Sequence, residues 1–350
     1  MTVKRLFEQT EHDCCIVCNR CVFFVDIHNT YVILKSYIRK RDEKKMTKQN
    51  LIVMVGVAGS GKSTYVATHY PDAHVYESDA YRVKLFGTLQ AQTPEQHEQV
   101  FLAMHRDMRR DMAQADGVET FVYDATNLSR KRRTTVYNEF TRFANVTIVF
   151  VYRTLAELLR ANQERAVEKR VPAWKVREMY TKTQIPKLGV DADKIVVVAD
   201  NDLFGTFDHN NAHLADFKHV RPDLWDELQL NYTAHDSSHH AETVDEHIDM
   251  AVDMAETDLF RDVALFHDLG KGLVKKPLLS GYASFYNHQY VSAVYALLYF
   301  GVDSLVPEMI YNHMTAHLGF TKRGLRRDKV TDAELTRYLA FAELDSKARR

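Results

Sequence analysis

Nine residues, Gly56-Val57-Ala58-Gly59-Ser60-Gly61-Lys62-Ser63-Thr64, follow directly on the apolar run Leu51-Ile52-Val53-Met54-Val55. A short, unbroken apolar run of this kind predicts a strand buried on both faces, as in a parallel sheet. The order G-x-x-x-x-G-K-[ST] after such a strand predicts a phosphate-binding loop that opens a helix. Gly56, Gly59 and Gly61, with Ser60 among them, let backbone N–H groups turn inward around phosphates. Lys62 carries a mobile positive charge to the β- and γ-phosphate oxygens, and Ser63, followed by Thr64, offers a hydroxyl for Mg²⁺. A nucleoside triphosphate with Mg²⁺ is therefore the expected ligand, on an α/β domain with a parallel sheet and helices on both faces.

The segments that follow narrow the chemistry. In Val75-Tyr76-Glu77-Ser78-Asp79-Ala80-Tyr81-Arg82 an apolar strand ends just before Asp79. A helix starting there places Asp79 and Arg82 on one face. The carboxylate can take a proton from an attacking hydroxyl and the guanidinium can hold a phosphate; a plain helix cap at Asp79 is the alternative. Residues 118–123 read as a second strand, with Asp124 and Asn127 past its carboxyl end, where α/β sheets place ligand chemistry. Arg130-Lys131-Arg132-Arg133 opens a helix; at least two of the four read as a solvated basic face, and the run, with the basic stretch 160–177, favours a polymeric substrate. Residues 146–152 read as a further strand. The basic stretch from Arg160 through Arg165 to Pro172 then suits a lid over a triphosphate.

Together, Asp79-x-x-Arg82, Asp124-x-x-Asn127 and the Arg160–Pro172 segment behind this loop resemble the kinase domain of phage-type polynucleotide 5′-kinases, over roughly residues 48–200. Related P-loop kinases and zeta-type toxins share part of the pattern. The resemblance implies ATP and Mg²⁺ on Lys62 and Ser63, and Asp79 as general base on a 5′-hydroxyl. It also implies Arg82, Asp124 and Asn127 in the polynucleotide site, and Arg160 and Arg165 as lid arginines.

Residues 199–232 lose clear periodicity, with Gly205 and Pro222 as breakers, and read as a domain boundary. Beyond them, eight of the 17 histidines fall within 118 residues. Thr243-Val-Asp-Glu-His247, the adjacent His267-Asp268 followed by Gly270-Lys271, then His288, His313 and Asp345 sit in helical contexts. Imidazole and carboxylate groups converging from several helices make a metal site in a bundle core, suited to Mn, Ni, Co, Fe or Zn. This set resembles HD-domain phosphohydrolases, over about residues 233–348. Two ions held by His247, His267, Asp268, His288, His313 and Asp345 is one count. One ion held by His247, His267, Asp268 and Asp345, with His288 and His313 on the phosphate, is the other. Lys271, one helical turn from His267, can bind a phosphate oxygen or protonate a leaving group. His235, His239, His240 and His317 are less constrained. A haloacid-dehalogenase-type phosphatase needs a strand ending in Asp-x-Asp-Gly-Thr, and Asp191-Ala-Asp193 is followed by Lys194 instead.

With 46 Lys plus Arg against 47 Asp plus Glu, a wholly basic nucleic-acid coat protein is excluded. Residues 46–200 carry 22 basic and 18 acidic side chains, residues 233–350 carry 13 and 17, so a polyanion is drawn first to the middle third. The four cysteines lie within the first 21 residues; Cys15, Cys18 and Cys21 with His12 resemble half a zinc knuckle, but no second pair follows. The expected layout is a poorly ordered extension (1–45), a P-loop polynucleotide kinase-like domain (46–200), a linker (201–232) and an all-α HD domain (233–350). No apolar run approaches a membrane span and the start lacks a secretory pattern, so the expected location is the cytoplasm, of the host cell if phage-encoded. The expected function is healing of RNA or DNA ends: 5′-phosphorylation plus removal of a 3′-terminal or 2′,3′-cyclic phosphate, alongside a separate ligase. A small-molecule kinase fused to a nucleotide hydrolase and a nucleotide-sensing module remain as rivals. The oligomeric state is open.

Overall fold

Five strands form one parallel sheet: β3 (Gln49–Val55), β4 (His74–Glu77), β5 (Thr120–Asp124), β6 (Ala144–Val151) and β7 (Lys194–Val198), in spatial order β4-β5-β3-β6-β7. The computed structural model describes residues 15–18, 21–24, 48–89, 93–199, 203–209, 214–228, 234–236 and 241–349. Strand β3 is central because Leu51 through Val55 are all buried, and only a strand covered on both faces tolerates that run. Alternate residues serve opposite faces: Ile52 and Met54 pack with Val66 and Val149, while Leu51, Val53 and Val55 pack with Phe121 and Phe150.

Helices α1 (Lys62–His69), α2 (Ser78–Phe86), α3 (Pro94–Gln114), α4 (Arg130–Phe140), α5 (Leu155–Glu164) and α6 (Ala173–Thr181) surround the sheet. Thr93 with Gln96 and Thr154 with Glu157 form capping boxes, which satisfy the first free N–H groups of α3 and α5. The anticipated parallel sheet with flanking helices, followed by a helical region, is what the chain forms.

The rest is helical apart from a two-residue strand pair, β8 (Lys276–Pro277) with β9 (Ala283–Ser284). It comprises α7 (Leu214–Val220), α8 (Pro222–Leu228), α9 (Val244–Asp253), α10 (Asp258–His267), α11 (Lys271–Val274), α12 (His288–Phe300), α13 (Val306–Leu318), α14 (Lys322–Arg327) and α15 (Asp332–Lys347). The stretch read as unperiodic therefore holds two helices, α7 and α8. Pro222 begins α8 rather than breaking structure, a position where its missing N–H costs nothing. Phe217, Leu224, Trp225 and Leu228 are buried in the same apolar cluster that includes Val53, Phe150, Ile248, Tyr295, Ile310 and Phe341. Residues 48–350 thus form one compact unit with a continuous core.

The other unit is residues 1–47, of which the structure describes a hairpin, β1 (Cys15–Cys18) antiparallel to β2 (Cys21–Phe24). The rest of the 1–45 extension, His12 included, and His239 and His240 lie outside the described residues. Among the described residues no helix is long and apolar enough to cross a membrane.

The basic run Arg130–Arg133 is divided between core and surface. Arg130 and Arg133 are not part of a solvated basic face; both are fully buried. Arg133 pairs with Asp191 at 2.8 Å, and Arg130 pairs with Glu308 of α13 while lying 3.9 Å from the Tyr311 ring. Both also donate to the Ile185 carbonyl. Only Lys131 and Arg132 of that run face solvent.

Candidate functional sites

The loop after β3 closes tightly against its neighbour. A Cβ at Gly56 would lie 2.6 Å from the Val151 carbonyl oxygen, so no other residue fits there. Gly61 has φ +96°, a left-handed conformation that hands the chain into α1. Lys62 is buried and donates to the carbonyls of Gly56 and Val57 at 3.0 Å each. Burial lowers its pKa to about 8, against the pull of Asp124. Ser63 Oγ donates to Asp124 Oδ2 at 3.1 Å, because β5 lies beside β3 and ends at the same level. Burial pushes the Asp124 carboxyl up, opposed by Lys62 and Ser63. Asn127 is also buried, donating to the Met54 carbonyl at 2.8 Å.

Asp79 and Arg82 face the same side of α2 and form an ion pair, as their spacing predicts. Asp79 is close enough to Lys62 to raise its pKa, so α2 and the loop share one electrostatic site. Arg165 also acts on Lys62, and its Nη1 is buried without a partner, as is Ser60 Oγ. Buried donors left unmatched beside a phosphate loop fit an anion with several oxygens. Arg160, by contrast, is exposed on α5. A cleft of about 820 Å³ opens beside the loop, lined by Gly61, Thr64, Tyr65, His69, Arg153 and Arg221 among others. Arg153 would touch a Cβ at Gly61 at 3.4 Å. Sequence reasoning missed Arg153; its position two residues past the carboxyl end of β6 was the available signal.

The second cluster is built from five helices. His247 comes from α9, His267 and Asp268 from the end of α10, His288 from the first turn of α12, His313 from α13 and Asp345 from α15. All six are buried. Each histidine donates Nδ1–H to a backbone carbonyl: His247 to Ala348, His267 to Ala264 and His313 to Ile310 at 2.6 Å, His288 to Phe285 at 2.7 Å. A carbonyl only accepts, so the proton is held on Nδ1 and every Nε2 is turned to the centre. There His247 Nε2 faces His267 Nε2 at 3.3 Å, and His288 Nε2 faces His313 Nε2 at 3.0 Å. The groups fall into two triads, His247/His267/Asp345 and Asp268/His288/His313, each with ligand atoms within 4.8 Å of one another. Asp268 serves both, with Oδ2 3.2 Å from His267 and Oδ1 3.2 Å from His288. Four inward lone pairs and two carboxylates, all buried, fit divalent transition metals.

The two carboxylates draw positive charge into this centre, whether a proton or a metal cation. Burial opposes charge on His267, but Asp268 and Asp345 outweigh it and raise its pKa to about 10. Burial and the neighbouring His288 and His267 push His313 down to about 3. Both carboxyls are held well below their ordinary range by histidines, Asp268 by Lys271 as well, despite burial. Lys271 Nζ reaches Asp268 Oδ2 at 2.5 Å and His235 Nε2 at 2.9 Å. Asp345 also bonds His317 at 2.7 Å. His235 and His317 thus join the cluster, which spacing alone could not show. The centre floors a cleft of about 780 Å³.

Compared with known proteins, residues 51–185 match a family described as an AAA domain. No curated protein matches. Among solved structures, a chain of the Pnkp1/Rnl/Hen1 RNA repair complex is similar at 20% identity, covering 40% of this chain and 46% of that one, with a TM-score of 0.35. A gluconokinase from Sinorhizobium meliloti is similar at 19% identity, covering 43% of this chain and 82% of that one, with a TM-score of 0.32. The chain spans less than half the length of the RNA repair chain it matches. The stretch that matches the AAA-domain family holds the phosphate-binding loop and most of the parallel sheet of the 48–350 unit.

Proposed function

We propose that this chain heals nucleic-acid ends at two sites: an ATP-dependent 5′-hydroxyl kinase and an HD-type phosphohydrolase that removes a 3′-terminal or 2′,3′-cyclic phosphate. The observation that carries the second half is the facing of Nε2 atoms in two pairs across Asp268. Two like lone pairs at such distances repel unless a proton or a cation lies between them, and the two triads divide the set into a place for each of two ions. Bound there, such ions would supply an activated water and a charge clamp for a phosphate ester. Lys271, in the same cleft, would hold a phosphate oxygen or return a proton to the leaving group.

At the first site, Lys62, Arg165 and the loop N–H groups would hold the triphosphate of ATP, with Ser63 and Asp124 on the Mg²⁺ side. Asp79 would take the proton of the acceptor hydroxyl, and Arg82 would steady that carboxylate or an acceptor phosphate. A small-molecule acceptor is the second reading. The burial of Arg130 and Arg133 favours it, since half of the basic run that suggested a polymer is occupied in the fold.

One experiment separates these readings. The purified protein is given ATP, Mg²⁺, Mn²⁺ and an RNA with a 5′-OH and a 2′,3′-cyclic phosphate, in parallel with nucleosides and free nucleotides. Transfer to the 5′ end is expected, abolished by Lys62→Ala and strongly reduced by Asp79→Ala. Loss of the 3′ phosphate is expected too, abolished by His267→Ala. Phosphorylation of nucleosides with no transfer to RNA would give the kinase to the second reading. Full phosphate release by His267→Ala would remove the hydrolase assignment.

A further inference from the structure

Five of the sixteen large apolar side chains exposed among the described residues gather at one place: Leu278, Leu279, Tyr282, Tyr286 and Leu318. Leu278, Tyr286 and Leu318 line the cleft above the histidine–aspartate cluster, and Leu279 and Tyr282 belong to the β8–β9 hairpin beside it. The chain path explains how an aromatic ring comes to stand there. Phe285 turns inward, its ring 6.2 Å from the His235 ring and 5.7 Å from Lys271 Nζ. Asn287 adopts φ +73°, a left-handed conformation that reverses the backbone. His288 then enters α12 4% exposed, while Tyr286 is left 85% exposed at the mouth.

The cleft is therefore graded. Its floor carries the His/Asp centre, its wall holds the cations Lys271 and Arg349, and its rim is aromatic and apolar. A ligand that matches this order has a phosphate at one end and a flat apolar ring next to it. We infer that Tyr286 is a base-stacking platform, so that the phosphate ester taken at this site belongs to the 3′-terminal nucleotide of a single strand. The inference rests on the reading of the cluster as a phosphohydrolase centre for nucleic-acid ends and adds the residue that holds the terminal base. Stacking on a lone ring is sequence-tolerant, because every base has a π-face.

The test uses the full chain and a 5′-fluorescein RNA of about ten nucleotides ending in a 3′-phosphate, its label blocking the 5′ end. A second RNA is identical except that the terminal nucleotide lacks its base. Binding is read by fluorescence anisotropy after chelator treatment, and KM for phosphate release is read in Mn²⁺. Tyr286→Ala is expected to weaken binding of the base-bearing RNA about tenfold and raise its KM similarly, with recovery in Tyr286→Trp. The abasic RNA is expected to bind wild type and Tyr286→Ala equally weakly. Equal binding of both RNAs by wild type, or no effect of Tyr286→Ala, would overturn the proposal. If wild type released phosphate from no ester, the hydrolase reading would fall, while the two binding curves would still decide for or against the stacking role of Tyr286.

Discussion

Lys62 is a cation held where a cation is costly. Its ammonium is satisfied by two carbonyls of its own loop, and burial brings its pKa to about 8, whereas an unfolded lysine titrates near ~10.4. Between those two values the unfolded chain binds the proton and the folded chain does not. The contribution of this group to stability therefore rises with pH through that window and is absent below it. A triphosphate beside Lys62 reverses the preference, since it favours the charged form. ATP binding is then expected to take up a proton above pH 8, with affinity falling by up to about tenfold per pH unit. Calorimetry at pH 9 in buffers of different ionisation enthalpy measures that uptake directly. A buffer-independent heat would mean that Lys62 does not face the phosphates.

Helix α4 shows how an element can mislead when only its charge is read. Arg130, Arg133, Val136 and Phe140 recur at helical spacing and are all buried, so the apolar stripe extends through two arginines. The ion pair of Arg130 with Glu308 ties α4 to α13, the helix that carries His313. Arg130→Ala would leave Glu308 only the more distant Lys187, 3.9 Å away, and breaking such a buried pair costs up to about 3–5 kcal/mol. A large fall in melting temperature is expected, with the salt dependence of oligonucleotide binding unchanged, because this arginine meets no phosphate. A flatter salt slope with unaltered stability would restore it to the nucleic-acid face. Other elements were legible for clear reasons. Strand β3, its loop and α1 follow from an apolar run and glycine chemistry that few folds share. Thr243 and Glu246 announce the start of α9. Helices α7 and α8 were not legible, being seven residues each, the second opening on a proline that looked like a breaker. The ligand histidines stood out by their helical contexts. His235 and His317 did not, because what a histidine touches depends on helices distant in sequence.

Across residues 48–350 the two sites share a core rather than a tether. Tyr152, just past β6, meets Tyr180 of α6 at 2.8 Å, and Tyr180 meets Tyr295 of α12 at 2.9 Å, all three buried. Lys187 pairs with Glu334 at 2.8 Å, and the Leu155 N–H at the start of α5 is accepted by Glu227 of α8. Helix α12 thus carries a candidate metal ligand at its first residue and, seven residues on, a tyrosine bonded into the phosphate-loop part. Separating the parts would expose apolar surface and strand these buried hydroxyls and charges, so local unfolding of one should drag the other. The expected consequence is a single calorimetric transition that either ligand moves. Mn²⁺ or ATP·Mg at about a hundred times its dissociation constant adds ~2.7 kcal/mol to whatever unit it binds. With a shared core, each should raise the same melting temperature, and their shifts should appear together when both are present. Two transitions, one moved by Mn²⁺ and the other by ATP, would show that the continuous core does not act as one cooperative unit.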